Sequence, residues 1–440
     1  MAGAGYAVRR TLDLLAKTNT FAFLNHTATL NPLVISQCNG IEPFAFGEAW
    51  LAYKPSGDYD AIPFGFLFQD GIECLIDMVL ELEKGDADKY SSTENTHDAE
   101  KKASVACIKK YLTEDFEKHE KCLLSLEDLE SEVQVKAVLA VHLFAPLIPD
   151  SPGVNKYGID KQHFPKDEGQ TKCPTCGEKL RFTDTSFGHS EVWHGYTDII
   201  LQKSAVKSAV TVSTKLKESS ETRRWTRQEA ELDEIESDSD ASVSSSSSSS
   251  SYSAVEDNKQ FNNQKQAEAR ALAQTITNAF CEQSYRDRFK PSFLATNEKV
   301  KIFMYCCDKD VLLETDYMSI LEKKSVSIKC LTLVWLALNF DFFQRVDIFD
   351  EKSKIQIHYK WPVSNFQKII GEAPLELYQY KACRPLRPGR NEEVGERKMG
   401  IHEEFFRLAL KQRDVYHLEK HIDMCDQLKK FRNSRIEDKS

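Results

Sequence analysis

One segment that cannot fold constrains this 440-residue chain more than any other feature. Residues 218–251 consist almost entirely of charged residues and serine, and they end in eight consecutive serines, residues 244–251. Such a composition buries too little apolar area to order itself. We therefore expect a disordered acidic insertion, which is either a plain solvated linker or a segment that binds protein partners. An acid-directed kinase could phosphorylate Ser237 and Ser239, each of which is followed by an aspartate.

Regular patterns on both sides of this insertion predict one α/β fold. Helical apolar spacing runs through residues 71–85 and again through the segment that stops before Pro146. Strand-forming runs follow as "SEVWHGYTDIILQ", "SAVKSAVTVSTKLK" and, beyond the insertion, "KVKIFMYCCDKDVLLETDYM". We expect an α/β core with additional N- and C-terminal helical regions. The insertion is expected to interrupt a hairpin of this core, with "VEDNK" as the returning strand, and it is tolerated because a longer loop costs little free energy.

Composition limits the environment of the protein. No run of 18 or more apolar residues is present, so no membrane partner is expected. The first 20 residues lack the continuous apolar core of a secretory signal. The 12 cysteines form no disulfide-like framework, and the Cys306–Cys307 pair is interpreted as strand-buried thiols. These features predict an intracellular protein of the nucleus or cytoplasm.

Acidic residues in two apolar or strand-like runs predict chemistry. Asp198 lies within "GYTDIIL", where a carboxylate must be paired, bound to metal or at a strand edge. In "AVEDNKQ", a two-residue strand period puts Asp257 and Lys259 on one face. Carboxylates from two adjacent strands can hold Mg²⁺, and a nearby lysine can orient or deprotonate the attacking water. This combination predicts hydrolysis of a phosphodiester.

"GYTDIIL", "VEDNK" and the helix-like "QAEARALAQTITNAF" together resemble the core of the PD-(D/E)XK, or restriction-endonuclease-like, nuclease superfamily. The resemblance covers about residues 125–345 and implies a fold with a central mixed sheet flanked by helices. It also implies an endonuclease dependent on Mg²⁺ or Mn²⁺ that acts on nucleic acid, expected to be DNA. It assigns the metal ligands to Asp198 and Asp257 and the water-orienting cation to Lys259. It places a further acidic residue of the site at Glu132 and a supporting helix glutamine at Gln266 or Gln274.

The resemblance leaves residues 1–120 as an N-terminal region of unknown role and residues 346–440 as a basic, partly helical extension. Basic patches in that extension, at residues 384–390 and 429–435, could contact phosphates. A rival register places Ser213 and Lys215 at the acid-x-lysine step, nearer to Asp198. That register puts serine where the family has an acid. It implies either an acidic ligand that has moved to another position or the alternative function, a catalytically inactive nucleic-acid-binding or scaffold protein.

A second constellation lies in the loop of residues 173–194. Its cysteines and histidines have zinc-finger ligand spacing, and "CPTCG" is typical of a zinc-knuckle turn. We expect a structural Zn²⁺ there, although ordinary buried thiols are an equal alternative. His189 and Glu191 could instead belong to the active-site rim, with Trp193 packed beneath them. The predicted zinc ligands are Cys173, Cys176, His189 and His194.

Overall fold

The computed structural model describes ten stretches of the chain: residues 28–56, 61–84, 96–129, 131–151, 153–161, 171–203, 206–213, 251–281, 285–345 and 361–380. All of them belong to one compact unit that ends at Leu386. The insertion up to residue 250, Lys215, Ser237, Ser239 and both C-terminal basic patches lie outside the described residues.

An eleven-stranded mixed sheet forms the centre of the described structure. Its strand order is β2-β1-β12-β11-β10-β9-β8-β4-β5, with β3 paired to β1 and β13 paired to β11. The strands are β1 (Thr29–Cys38), β2 (Leu51–Pro55), β3 (Ile62–Pro63), β4 (Tyr157–Asp160), β5 (Phe182–Thr183), β8 (Ile199–Lys203), β9 (Val206–Val212), β10 (Lys290–Ala295), β11 (Lys299–Cys306), β12 (Val311–Thr315) and β13 (Met318–Ser319).

Two small hairpins lie outside this sheet. They pair β6 (Ser186–Gly188) with β7 (His194–Tyr196), and β14 (Leu321–Glu322) with β15 (Ser325–Val326). Within the large sheet, neighbouring strands are antiparallel except for the pairs β9–β10 and β4–β5. A parallel pair needs a crossover connection, and a long helix follows β9 before β10 begins.

Helices cover both faces of the sheet. They are α1 (Phe64–Leu67), α2 (Gln69–Lys84), α3 (Thr96–Lys110), α4 (Phe116–Leu124), α5 (Glu132–Val138), α6 (Ser251–Phe280), α7 (Ile328–Leu338), α8 (Phe340–Phe343), α9 (Phe366–Ile370) and α10 (Glu372–Tyr380). A π-helix continues α3 over Tyr111–Asp115, and another continues α5 over Leu139–Phe144. No helix within the described ranges combines the length and apolarity needed to cross a membrane.

The strands are buried on both faces, and alternate side chains enter two separate cores. In β11, Ile302 and Met304 belong to the core under α2 to α5 and α7, whereas Phe303 and Tyr305 belong to the core under α6, α9 and α10. This division follows from the two-residue period of a strand. The pair Cys306 and Cys307 divides in the same way, with both thiols buried and neither in a disulfide.

The general α/β class is therefore confirmed, and several predicted elements match. The helix expected over residues 71–85 is α2, and the predicted pair of strands around Asp308 and Lys309 is β11 and β12. Strand β1 belongs to the N-terminal region whose role the sequence left unassigned, and it pairs with β12 inside the sheet.

The prediction that "VEDNK" forms a returning strand is wrong. Asp257 and Lys259 lie in α6, and the hairpin partner of β8 is β9, which ends before the insertion begins. The physical reason is local propensity. The run before the insertion is rich in valine and threonine, whereas the run after it is rich in alanine, glutamine and glutamate. The insertion therefore interrupts the connection from β9 to α6 rather than a hairpin.

Candidate functional site

Asp198 is the centre of a buried ion-pair cluster just before β8. Its Oδ1 lies 2.7 Å from Lys136 Nζ and 3.1 Å from Arg270 Nη2, and its Oδ2 accepts a 2.8 Å hydrogen bond from the Val212 amide. Only 4% of Asp198 is exposed. Lys136 also contacts Glu132 Oε1 at 2.5 Å, because residues four apart share one side of α5.

The two cations reach Asp198 from opposite faces of the sheet. The apolar side chains around Lys136 belong to the core under α2 to α5, and those around Arg270 belong to the core under α6. Asp198 itself lies at the open end of the β8–β9 hairpin, buried beside the Val212 amide. The carboxylate therefore links both helical layers to the hairpin.

Electrostatics keeps this cluster charged. Burial alone raises the pKa of the Asp198 carboxyl, but the nearby Arg270 and Lys136 cations and the hydrogen bonds to this carboxylate outweigh burial, so the pKa is lowered. For Lys136, burial lowers the pKa of the ammonium group, and the carboxylates of Asp198 and Glu132 outweigh that effect and raise it. Two carboxylates and two cations give the cluster no net charge.

Gln274 of α6 supports the two strands beside this cluster. Its Oε1 accepts a 2.6 Å hydrogen bond from Thr211 Oγ1 and lies 3.2 Å from Thr197 Oγ1, and its Nε2 donates to the Tyr196 carbonyl at 3.2 Å. Gln274 and both threonines are buried. Of the two predicted glutamines, Gln274 therefore lies at the site. Gln266 instead donates to the Gly47 carbonyl, 2.8 Å away.

The structure thus brings together three residues of the predicted site, Asp198, Glu132 and Gln274. It does not place Asp257 and Lys259 on the strand that the predicted metal site required, and their side chains lie outside the described part of the chain. The backbone beside Asp198 is that of Val212, the residue before Ser213. This contact belongs to the rival register rather than to the one centred on Asp257.

A separate group of side chains has the composition and spacing of a metal site. One ligand atom each from His142, Cys173 and Cys176 lies within 4.8 Å of the other two. Cys173 Sγ is 3.5 Å from His142 Nε2, and the Thr175 hydroxyl is 3.2 Å from Cys173 Sγ. This group could bind a metal ion such as zinc.

The histidine of this group is buried and hydrogen-bonded to a second histidine. His142 Nδ1 and His119 Nδ1 are 3.0 Å apart, and the His119 ring stacks on Tyr111. Burial lowers the pKa of each imidazole to about 4. Both rings are therefore neutral at pH 7, and one donates a hydrogen to the other. A neutral imidazole is the form that coordinates metal.

The predicted zinc ligands His189 and His194 are absent from this group. Among the described residues, the histidine beside the two thiols is His142. His194 begins β7, the partner of β6, and its Nδ1 lies 2.8 Å from the Val192 carbonyl. The zinc-finger spacing failed as a predictor because the hairpin of β6 and β7 carries both histidines into a different part of the fold. Trp193 packs against Phe366 and donates to Asn39 Oδ1, so it belongs to the core under α6.

Three functional residues escaped sequence interpretation, although two of them had a visible signal. Lys136 and His142 are polar residues inside the otherwise apolar "VQVKAVLAVHLF", and buried polar residues in such a run need partners. Arg270 has no comparable signal, because a charged residue beside the apolar stripe of an amphipathic helix is ordinary, and only the packed sheet brings Asp198 to it.

Comparison of the chain with profiles of protein families, with curated proteins and with solved structures finds no match.

Proposed function

We propose that this chain is a restriction-endonuclease-like protein that has lost phosphodiester hydrolysis and acts by binding nucleic acid, with DNA as the expected ligand. The observation that carries the loss of hydrolysis is the pairing of Asp198 with Lys136 and Arg270. Nucleic acid as the ligand rests on the resemblance in sequence.

The charge of the cluster and the lack of a free Asp198 oxygen argue against Mg²⁺ binding beside Asp198. Mg²⁺ needs near-octahedral oxygen coordination, and it is usually bound through one or two carboxylates plus water and phosphate oxygens. Here Asp198 Oδ1 is shared by two cations and Oδ2 is bonded to a backbone amide. Because the cluster is already neutral, a divalent cation would give it a net charge of about +2 in a buried setting, which is unfavourable.

The rival register agrees with this proposal. The residue after Val212, just beyond the end of β9, is Ser213, whose hydroxyl is a much weaker Mg²⁺ ligand than a carboxylate. The competing proposal is a nuclease that uses Mg²⁺ or Mn²⁺ with Asp198, Asp257 and Lys259 as the catalytic residues. The metal that we assign to this protein is instead a zinc ion at other residues, His142, Cys173 and Cys176.

A paired assay separates the two proposals. Full-length wild type and the Asp198→Ala and Asp257→Ala variants are incubated with supercoiled plasmid and Mg²⁺ or Mn²⁺, with EDTA as the control. The same proteins are then titrated with labelled duplex DNA at increasing salt. We expect no metal-dependent nicking, together with DNA binding that weakens as salt rises because counterions are released.

Metal-dependent nicking that disappears in Asp198→Ala or Asp257→Ala would establish the nuclease and refute our proposal. Nicking that persists in both variants would indicate contamination if it varies between preparations, and a different catalytic centre if it does not. Absence of DNA binding at low salt would refute the nucleic-acid part of the proposal and leave the protein-scaffold alternative.

A further inference from the structure

The most complete unassigned chemistry among the described residues lies where α4, the π-helix after α5 and the loop before β5 meet. The loop contributes Cys173 and Cys176, and the π-helix contributes His142. Nothing in the Asp198 cluster contacts this group through a described hydrogen bond or ion pair. A role for it is therefore independent of whether the chain cleaves nucleic acid.

The separation of the ligand atoms matches tetrahedral zinc. With Zn–S of about 2.3 Å and Zn–N of about 2.0–2.1 Å, a tetrahedral angle places the sulfur and nitrogen about 3.6 Å apart. Cys173 Sγ and His142 Nε2 are 3.5 Å apart. A thiol–imidazole hydrogen bond has a similar length, and the Thr175 hydroxyl lies 3.2 Å from Cys173 Sγ and 3.4 Å from His142 Nε2. The observation that points to a metal is the third ligand, Cys176, whose sulfur lies within 4.8 Å of both atoms.

The loop backbone has the form of a knuckle around the thiols. The Gly177 amide donates to the Cys173 carbonyl at 2.9 Å, and the Glu178 amide donates to Cys176 Sγ at 3.5 Å. Gly177 has a φ of +74°, a left-handed conformation that glycine adopts without strain. Backbone donors aimed at sulfur stabilise the thiolate form, which is the form that binds metal.

His119 supplies the support that a zinc-bound histidine needs. If His142 binds metal through Nε2, its proton lies on Nδ1 and is donated to His119 Nδ1, 3.0 Å away. Ligating histidines commonly donate their second ring N–H in this way, which orients the ring and increases its basicity. The Tyr111 hydroxyl also donates to the backbone carbonyl of His142, at 3.2 Å.

A structural zinc site needs a fourth protein ligand, and α4 carries one. Cys122 is buried and lies three residues after His119, so both side chains project from the same side of the helix. Cys122 is outside the tight three-residue group, but it lies one helical turn from His119, whose ring is hydrogen-bonded to His142. Metal binding would draw Cys122 into the group.

We propose that Cys122, His142, Cys173 and Cys176 hold one structural Zn²⁺ ion. The ion would fasten two helices of one layer, α4 and the continuation of α5, to the loop that leads into β5 and the β6–β7 hairpin. Because the same continuous helix carries Lys136 and His142, the zinc ion would also hold in place the segment that pairs with Asp198.

Metal content and cobalt spectroscopy on the full-length protein test this proposal. We expect one zinc per chain by mass spectrometry, lost in Cys173→Ser, Cys176→Ser and His142→Asn. The matched controls Cys74→Ser and His194→Asn should keep it. When Co²⁺ replaces zinc, wild type should show a tetrahedral spectrum, and Cys122→Ser should lose about one third of the thiolate charge-transfer intensity, because one of three sulfur ligands is removed.

Several outcomes would overturn the proposal. Wild type that binds neither zinc nor tetrahedral cobalt would exclude the site altogether. Zinc lost in His194→Asn but kept in His142→Asn would reassign the histidine to the zinc-finger pattern. Unchanged charge-transfer intensity in Cys122→Ser would exclude the fourth ligand. If a variant fails to fold by circular dichroism, the intensity of the wild-type cobalt spectrum still reports whether three thiolates bind.

Discussion

Replacing Asp198 with asparagine tests the claim that its ion pairs stabilise the fold. At an effective dielectric constant of about 20, contacts of 2.7 Å and 3.1 Å correspond to gross attractions of about 6 and about 5 kcal/mol. Desolvation of the charges offsets most of this attraction. Removing one partner of a buried pair nevertheless costs about 3–5 kcal/mol, because the remaining charges are left uncompensated.

We expect Asp198→Asn to lower the free energy of unfolding by about 3 kcal/mol at pH 7, the low end of that range. The low end applies because Lys136 keeps its contact with Glu132, whose side chain is 44% exposed. The asparagine can still accept the Val212 amide hydrogen bond, so lost charge dominates the effect. Urea unfolding followed by intrinsic fluorescence and circular dichroism measures the difference.

The pH dependence gives a second readout with a defined sign. The folded-state pKa of Asp198 is lowered, so its stabilising contribution is present above the unfolded-state pKa of about 3.9 and is lost as the pH falls toward the folded-state value. The stability difference between wild type and Asp198→Asn should therefore be constant from pH 7 to about pH 5 and shrink below about pH 4.

A matched control is Asp150→Asn. Asp150 pairs with Lys156 at 3.1 Å, but its side chain is 94% exposed, so the change should cost less than about 0.5 kcal/mol. Adding Lys136→Met to Asp198→Asn should recover part of the loss, because the uncompensated cation is removed. If Asp198→Asn costs no more than Asp150→Asn, the ion-pair interpretation of the cluster is wrong.

Two further substitutions test the surroundings of the site and the core. Gln274→Ala should destabilise the protein by about 2 kcal/mol, because it removes the hydrogen bonds of Gln274 to the buried Thr211 hydroxyl and to the Tyr196 carbonyl. Gln266→Ala on the same helix should cost about 0.5 kcal/mol, and equal losses would refute the support role. Gly71→Ala should cost about 1–2 kcal/mol, although alanine has a higher helix propensity than glycine. The added Cβ would lie 2.3 Å from Leu336 Cδ2 and 2.9 Å from Phe343 Cβ. Gly47→Ala, with no atom within 4 Å of its Cβ, is the control, and thermal unfolding that ranks the two glycines the other way would contradict the packing argument.

The predicted parts of the fold were those determined by local pattern. The 3.6-residue period of α2 and the alternation in β11 and β12 depend only on neighbours in sequence. The same reasoning misassigned "VEDNK", because an acid-x-lysine step is compatible with a strand face and also with a helix surface. The alanines and glutamines that follow it decide for helix.

The residues of the candidate sites also differ in whether a local sequence pattern could predict them. Asp198 was predictable because a carboxylate in an apolar run is a local signal, whereas Glu132 was assigned only through the resemblance. The partners of Asp198 were not, because Lys136 and Arg270 meet only when helices on opposite faces pack on one sheet. The zinc-finger spacing predicted that the two cysteines share a metal site with the histidines that follow them in sequence. The histidine beside them is instead His142, which lies in a helix, 31 residues before Cys173.

The position of β1 has a consequence for synthesis of the chain. β1 is complete by Cys38, but its antiparallel neighbour β12 begins only at Val311. Asn31 and Asp316, which form a hydrogen bond beside this strand pair, are 285 residues apart. At about 5–20 residues per second, a ribosome needs about 15–60 s to translate the intervening residues.

The open edge of β1 is therefore exposed on the nascent chain. β2 can cover one edge of β1 early, but the edge that later receives β12 stays open until most of the protein has been translated. During that time Leu30, Leu33 and Ile35 are not yet buried. Chaperone binding and aggregation of nascent chains should therefore concentrate on this first strand.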